Sequence, residues 1–330
     1  MKDPKFLGLD VGTSRVVLAA KSGEDFSFQT QLNAFVQIPY SKITESVLKK
    51  ERVPYTVTNG ELVIHGNESE RFADLLGQEA RRPMRGGVLN PGEPDGENQL
   101  GLIFRALLGD EDGKGRKIYF SVPASPAGSE ENLTYHEATI KNLLAKMGYA
   151  VEAINEGLAV VYGELEASNF TGIGVSCGGG LCNVCLAYLS VPVLSFSIAK
   201  AGDFIDTSAA TAMGELATRV RIAKESEFHF NGHYSDKVKQ VLNVYYEDMI
   251  LALVTSMKEA FANSKKLPRL GRPIPLVLSG GSAMPRGFRD RFEQVLRASN
   301  FPIALSEIRM AEQPLYSTAK GALVAALSEA

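Results

Sequence analysis

FLGLDVGTSRVVLAA, residues 6–20, reads as a strand, a glycine turn and a second strand, with β-branched and leucine residues flanking Asp10, Gly12, Thr13 and Ser14. The pattern returns at residues 171–189, TGIGVSCGGGLCNVCLAYL, where Ser176 and Gly178 stand in place of Asp10 and Gly12, an offset of 166. That offset is close to half of the 330 residues. The chain reads as two copies of one α/β design.

A third glycine element, IPLVLSGGSAMPRGF at residues 274–288, runs from an apolar strand through Gly280 and Gly281 into a helix expected from Pro285. Glycine lets the backbone approach a ligand closely, and the N–H groups of such turns attract anionic or polar groups. One turn of this kind is ordinary punctuation; three in order are a pattern. Around them, residues 117–124 (KIYFSVPA) read as a buried strand. Apolar residues at helical spacing predict a helix from near Ser129 through Met147, and others predict helices at the start of residues 155–165 and over 236–263. Strands alternating with helices imply mixed α/β layers.

Composition excludes several classes. At 330 residues the chain exceeds the roughly 250 to 300 at which one core stops growing, so two domains are expected. Apolar residues make up 45% and charged residues 22%, as in ordinary globular proteins. The formal net charge is -3 and the basic residues are scattered, so no nucleic-acid partner is expected. The opening MKDPKFLGLDVG has no signal-peptide core, and the uncharged stretch from Val184 to Ala199 is short for a membrane span; it reads as two strands joined at Pro192. Cys177, Cys182 and Cys185 make no disulfide framework, and the spacing of the last two puts them on opposite strand faces, so reduced thiols in a cytoplasm are expected.

In this order the elements resemble the actin, Hsp70 and hexokinase superfamily, and within it the bacterial actins of the MreB and MamK type. LGLDVGTS (7–14) is similar to the first phosphate loop, GIGVSCGGGLCNV (172–184) to the second, INEGLAVVYG (154–163) to the first connecting helix and LVLSGGSAMPRG (276–287) to the adenosine motif. RRPMRGGVL (81–89), KAGDFIDTSA (200–209) and QPLYSTAKGAL (313–323), the last resembling the second connecting helix, support the narrower bacterial reading.

The resemblance implies an α/β, actin-like ATPase fold of two duplicated, ribonuclease H-like halves around a nucleotide cleft. Residues 1–160 with 313–330 would form the first half, with a variable small subdomain at about 31–77; residues 161–312 would form the second, with a small subdomain at about 206–261. It further implies that Gly12, Thr13 and Ser14 hold the phosphates from one side and Gly178, Gly179 and Gly180 from the other. Asp10 would hold Mg²⁺ through water, and Glu156 would activate the attacking water. Gly280, Gly281, Ser282 and Met284 would bracket the adenosine, with Lys224 and Glu225 reaching the ribose and base. Two positions depart from the family: Ser176 replaces the aspartate of the second phosphate loop near the metal, and Gly157 replaces the proline after the catalytic glutamate.

The expected function is a cytoskeletal protein that binds ATP or ADP with Mg²⁺, polymerises with itself and hydrolyses nucleotide slowly. A small-molecule kinase or phosphohydrolase, and a nucleotide-binding scaffold without hydrolysis, remain the alternatives.

Overall fold

In the computed structural model, residues 5–109, 113–127, 133–230, 232–234, 236–265, 267–268 and 270–329 are described. The first half opens with β1 (Phe6–Val11), β2 (Arg15–Ser22) and β3 (Asp25–Leu32). A small insertion follows: β4 (Phe35–Pro39), α1 (Lys42–Lys50), β5 (Tyr55–Thr58), β6 (Glu61–His65) and α2 (Glu68–Leu76). Its sheet runs β4-β6-β5 and closes over Val36, Leu48, Leu62, Ile64 and Ala73. After the short β7 (Met84–Arg85) and β8 (Val88–Leu89) come α3 (Gly96–Leu108), β9 (Lys117–Val122), α4 (Thr134–Lys146) and β10 (Ala150–Asn155).

Helix α5 (Glu156–Glu164) connects the first large sheet to the second, which opens with β11 (Gly172–Cys177), β12 (Cys182–Tyr188) and β13 (Val191–Ile198). Helices α6 (Gly202–Met213), α7 (Ala217–Glu227) and α8 (Lys237–Asn263) lead to β14 (Ile274–Ser279), α9 (Phe288–Ala298), β15 (Leu305–Met310) and α10 (Ser317–Leu327). The two large sheets have one topology, β10-β9-β1-β2-β3 and β15-β14-β11-β12-β13. Antiparallel hairpins form one side of each sheet and parallel crossover strands the other. The offset of 166 holds at the level of register: Asp10 lies opposite Val17 and Ser176 opposite Asn183.

Close packing fixes the same duplicated positions. A Cβ on Gly8 would lie 2.2 Å from the Ala319 carbonyl of α10, and one on Gly174 would lie 2.4 Å from the Gly157 carbonyl of α5. The two helices also cross closely, since a Cβ on Gly321 would lie 1.7 Å from the Ala159 carbonyl. Each helix thus sits directly on one sheet and against the other helix. The larger core fills one face of the second sheet; the other face packs around α5. Cys182 belongs to the first of these cores and Cys185 to the second, so the opposite-face reading holds, and all three cysteines are buried and free.

Two boundaries differ from the sequence reading. The β12–β13 turn falls at Leu189 and Ser190, with φ of 50° and 68°, and Pro192 lies inside β13. An edge strand tolerates that proline, and the turn lacks the Asn-Gly signature that normally marks positive φ. The helix expected from Pro285 begins at Phe288, because Gly287 has φ 89° and Gly281–Ala283 forms a short 3-10 turn. Phe288, Phe292 and Leu296 then form its buried stripe. The expected start near Ser129 lies outside the described residues; the helix is described from Thr134.

Candidate functional site

Both hairpins close in the same way. Gly12 N–H donates to the Arg15 carbonyl at 3.0 Å, and Gly178 N–H donates to the Leu181 carbonyl at 3.0 Å. Their tips face each other: a Cβ on Gly179 would lie 2.9 Å from Ser14 Cβ, and one on Gly180 would lie 2.3 Å from Thr13 Oγ1. Only glycine allows this approach. Between and beside the tips lies a cavity of about 470 Å³, within the range of small-ligand sites.

The cavity brings together the residues singled out from the sequence. Asp10, Gly12, Thr13, Ser14 and Glu156 line it, as do Ser176 and Gly178, Gly179 and Gly180. So do Lys224, Glu225, Gly280, Gly281, Ser282 and Met284, at the end lined by Phe228 and Arg286. Ser282 donates to the Gly178 carbonyl at 2.7 Å, tying the β14 turn to the second hairpin. The Gly280 turn is equally tight: its φ is 90° and a Cβ there would lie 2.3 Å from the Cys177 carbonyl.

Lys224 and Glu225 both reach the cavity but already have partners. The Lys224 ammonium is paired with Asp206 at 2.7 Å and lies 3.3 Å from the Gly202 carbonyl. Glu225 accepts from Arg15 at 2.6 Å, an ion pair from the second half to the first.

Two carboxylates line the cavity, Glu156 buried and Asp10 partly so. Ser121 Oγ donates to Asp10 at 2.7 Å and accepts from Val11 N–H at 3.0 Å, so β9 fixes the Asp10 rotamer. Glu156 is the first residue of α5, whose start is capped by Asn155 accepting from Leu158 N–H. Asn183 donates to Glu156 at 2.8 Å. Burial pushes both carboxyls above their ordinary values, and the Asp10 charge pushes Glu156 further. Hydrogen bonds from Ser121 to Asp10, and from Asn183 and Ser176 to Glu156, pull partly the other way.

Two polar contacts between distant segments border the site. Arg82 donates to Asp203 at 2.5 Å across the halves. Gly87 N–H, at the β7–β8 tip, donates to Thr13 Oγ1 at 2.9 Å. Arg82, Gly87 and Asp203 fall inside the stretches 81–89 and 200–209 quoted for their family likeness, which was the available signal. Asn183 falls inside the stretch 172–184 quoted for the same likeness, though with no role attached to it, and Ser121 carried no signal, standing in a run that reads as a buried strand. Among the described residues no group of three or more His, Cys, Asp or Glu is arranged to hold a metal.

Two duplicated sheets, two crossing helices and a cleft between glycine hairpins define an actin-like protein of the bacterial MreB and MamK type. The chain belongs to the Volactin family, whose sequence profile matches residues 6–326. It is similar to the actin-like protein MamK of Magnetospirillum gryphiswaldense, 24% identical across 98% of this chain and 89% of the relative. The MamK of Paramagnetospirillum magneticum is 22% identical over 98% of this chain and 92% of the relative. Among solved structures, a MamK double helical filament aligns over 98% of both chains at 20% identity with a TM-score of 0.68. Spiroplasma citri MreB5 bound to AMPPNP aligns over 97% of this chain and 95% of its own, at 17% identity and a TM-score of 0.66. At such identities the structures establish a shared fold.

Proposed function

We propose that this chain binds ATP or ADP with Mg²⁺ in the cleft and polymerises with itself into filaments, with slow hydrolysis. The observation that carries the reading is the pair of equivalent hairpins converging on one cavity, so that a nucleotide there touches both halves. Gly12, Thr13 and Ser14 would donate to the phosphates from one side, and Gly178, Gly179 and Gly180 from the other. Gly280, Gly281, Ser282 and Met284 would bracket the adenosine. Glu225 and Lys224 would line the ribose end, each already oriented by a partner.

The donor set fits Mg²⁺ held through water. Asp10 is a single, partly buried carboxylate beside Glu156, too few groups for a direct protein cage but suited to an ion that dehydrates reluctantly and takes much of its shell from phosphate and water. A cation there would offset the charge that burial disfavours. When bound, it would polarise the phosphate oxygens. Asp10 would orient its water shell, Ser176 would leave one outer carboxylate missing, and Glu156 would take a proton from the attacking water.

Because the ligand would span residues 1–160 with 313–330 and residues 161–312, it would set their relative angle and so the match between subunit surfaces. A head-to-tail contact of that kind propagates as an open polymer. The MamK double helical filament and the AMPPNP-bound MreB5 structure support this reading. Sedimentation and negative-stain microscopy with and without Mg-ATP test it. Nucleotide-dependent pelleting of filaments is expected; a chain that remains monomeric while phosphorylating or hydrolysing a small substrate would move the assignment to the kinase class.

A further inference from the structure

Asn183 is fully buried, and both ends of its amide are used. Nδ2 donates to Glu156 Oε2 at 2.8 Å, while Oδ1 accepts from the Ala124 N–H, also at 2.8 Å. Ala124 follows β9 and so belongs to the first half. Its carbonyl is held as well: Ser197, directly opposite Asn183 in the β12–β13 ladder, donates its hydroxyl at 2.8 Å. One residue of the first half is therefore gripped at both its N–H and its C=O by an opposed pair of side chains from the second. Backbone bonds continue the seam, with Ser197 N–H donating to the Ser125 carbonyl and Ala127 N–H to the Ser197 carbonyl, each at 2.9 Å.

The duplication supplies an internal control. The position equivalent to Asn183 in the first hairpin is Val17, which packs with Ala19, Ala319 and Leu323. The fold therefore does not need a polar residue at this place in the hairpin. An apolar side chain at 183 would leave the Ala124 N–H without its acceptor, a cost that the second half accepts the amide to avoid.

We propose that Asn183 is a positioning residue: with Ser197 it clasps the Ala124 backbone and, through its other end, aims Glu156, so that the carboxylate is aligned only when the two halves meet at this seam. The inference rests on the hydrolytic role of Glu156 proposed above and adds what would make that role depend on the angle between the halves. Closure on a ligand brings the seam together and fixes Glu156; opening pulls Ala124 from Asn183 and frees the amide to turn. A displacement of about 1 Å at a reacting group can lower a rate by about 100-fold.

The test uses the full chain, Asn183→Ala and Ser197→Ala, and two readouts. Single-turnover phosphate release and nucleotide affinity are measured for each, with melting as a check on folding. Asn183→Ala should lower the rate about 10- to 100-fold and Ser197→Ala less, both with nucleotide affinity within about twofold of the parent. Hydrogen exchange supplies the readout that needs no hydrolysis: Mg-ATP should slow the Ala124 amide in the parent chain, and Asn183→Ala should remove that protection. Loss of affinity in step with rate, or Ala124 protection unchanged by Asn183→Ala, overturns the clasp. Parent-like turnover in Glu156→Gln instead overturns the hydrolytic reading, and the exchange result then decides the clasp alone.

Discussion

The two phosphate-side hairpins share a backbone and differ in chemistry. Each has the same register, the same closing N–H···O bond and the same glycine seated on a helix, Gly8 under α10 and Gly174 under α5. Where the first carries Asp10, the second carries Ser176, and where the first has the apolar Val17, the second has Asn183. Positions that match across the duplication report what the fold requires. Positions that differ report what each half does in the cleft.

Matched positions should fail alike. Gly8→Val and Gly174→Val each force a side chain into helix backbone that cannot retreat, since the two helices are wedged against each other. Denaturant unfolding should show losses of about 3 kcal/mol or more for both, because overpacking at backbone contacts lies at the severe end of the range. If only one is costly, the duplication is topological without being structural.

Unmatched positions should fail differently. Glu156→Ala is expected to lower phosphate release by about 100- to 10,000-fold, the usual contribution of a positioned base, while sparing binding. Ser176→Asp makes the second hairpin resemble the first and should raise release by about 10-fold. A steady-state phosphate assay on both variants checks this; an unchanged Ser176→Asp rate means that another group already supplies the missing carboxylate's effect.

A smaller effect follows from the buried Glu156 carboxyl. Glu156 is raised above its ordinary value of 4.5, so the folded state holds a proton that the unfolded state releases as pH climbs past that value. Stability from this group therefore falls with rising pH, from 4.5 until the raised folded pKa is passed. Glu156→Gln should remove that fall and raise the melting temperature of the ligand-free chain by a few degrees at pH 8, with no gain at pH 4. A parent-like pH dependence would show that Glu156 is not the group responsible.

The hairpins were legible in the sequence because their chemistry is local: glycines at a fixed spacing between β-branched runs leave few other readings. The connecting helix, with Glu156 at its start, was legible for the same reason. Pairings between halves were not. Arg15 with Glu225 and Arg82 with Asp203 join residues far apart in the chain, and nothing local distinguishes them from solvated charges. Asn183 and Ser197 were hidden differently, since single polar residues within apolar runs gain meaning only once β12, β13 and the segment after β9 are adjacent. The Leu189–Ser190 turn escaped because its positive φ falls on residues that do not favour it. It is held by hydrogen bonds from Leu189 and Ser190 N–H to Thr171 and Phe170, which the local sequence does not reveal.

The central claim is that one ligand bridges both hairpins. It is tested most directly by calorimetric titration of Mg-ATP into the parent chain, Gly12→Ala and Gly178→Ala, whose added Cβ atoms would crowd equivalent carbonyls, Arg15 at 2.8 Å and Leu181 at 3.0 Å. Bridging predicts saturable binding by the parent and a loss of at least about tenfold in both variants, close to 1.4 kcal/mol each. Parent affinity retained in either folded variant, or no binding by the parent at millimolar Mg-ATP, would contradict it.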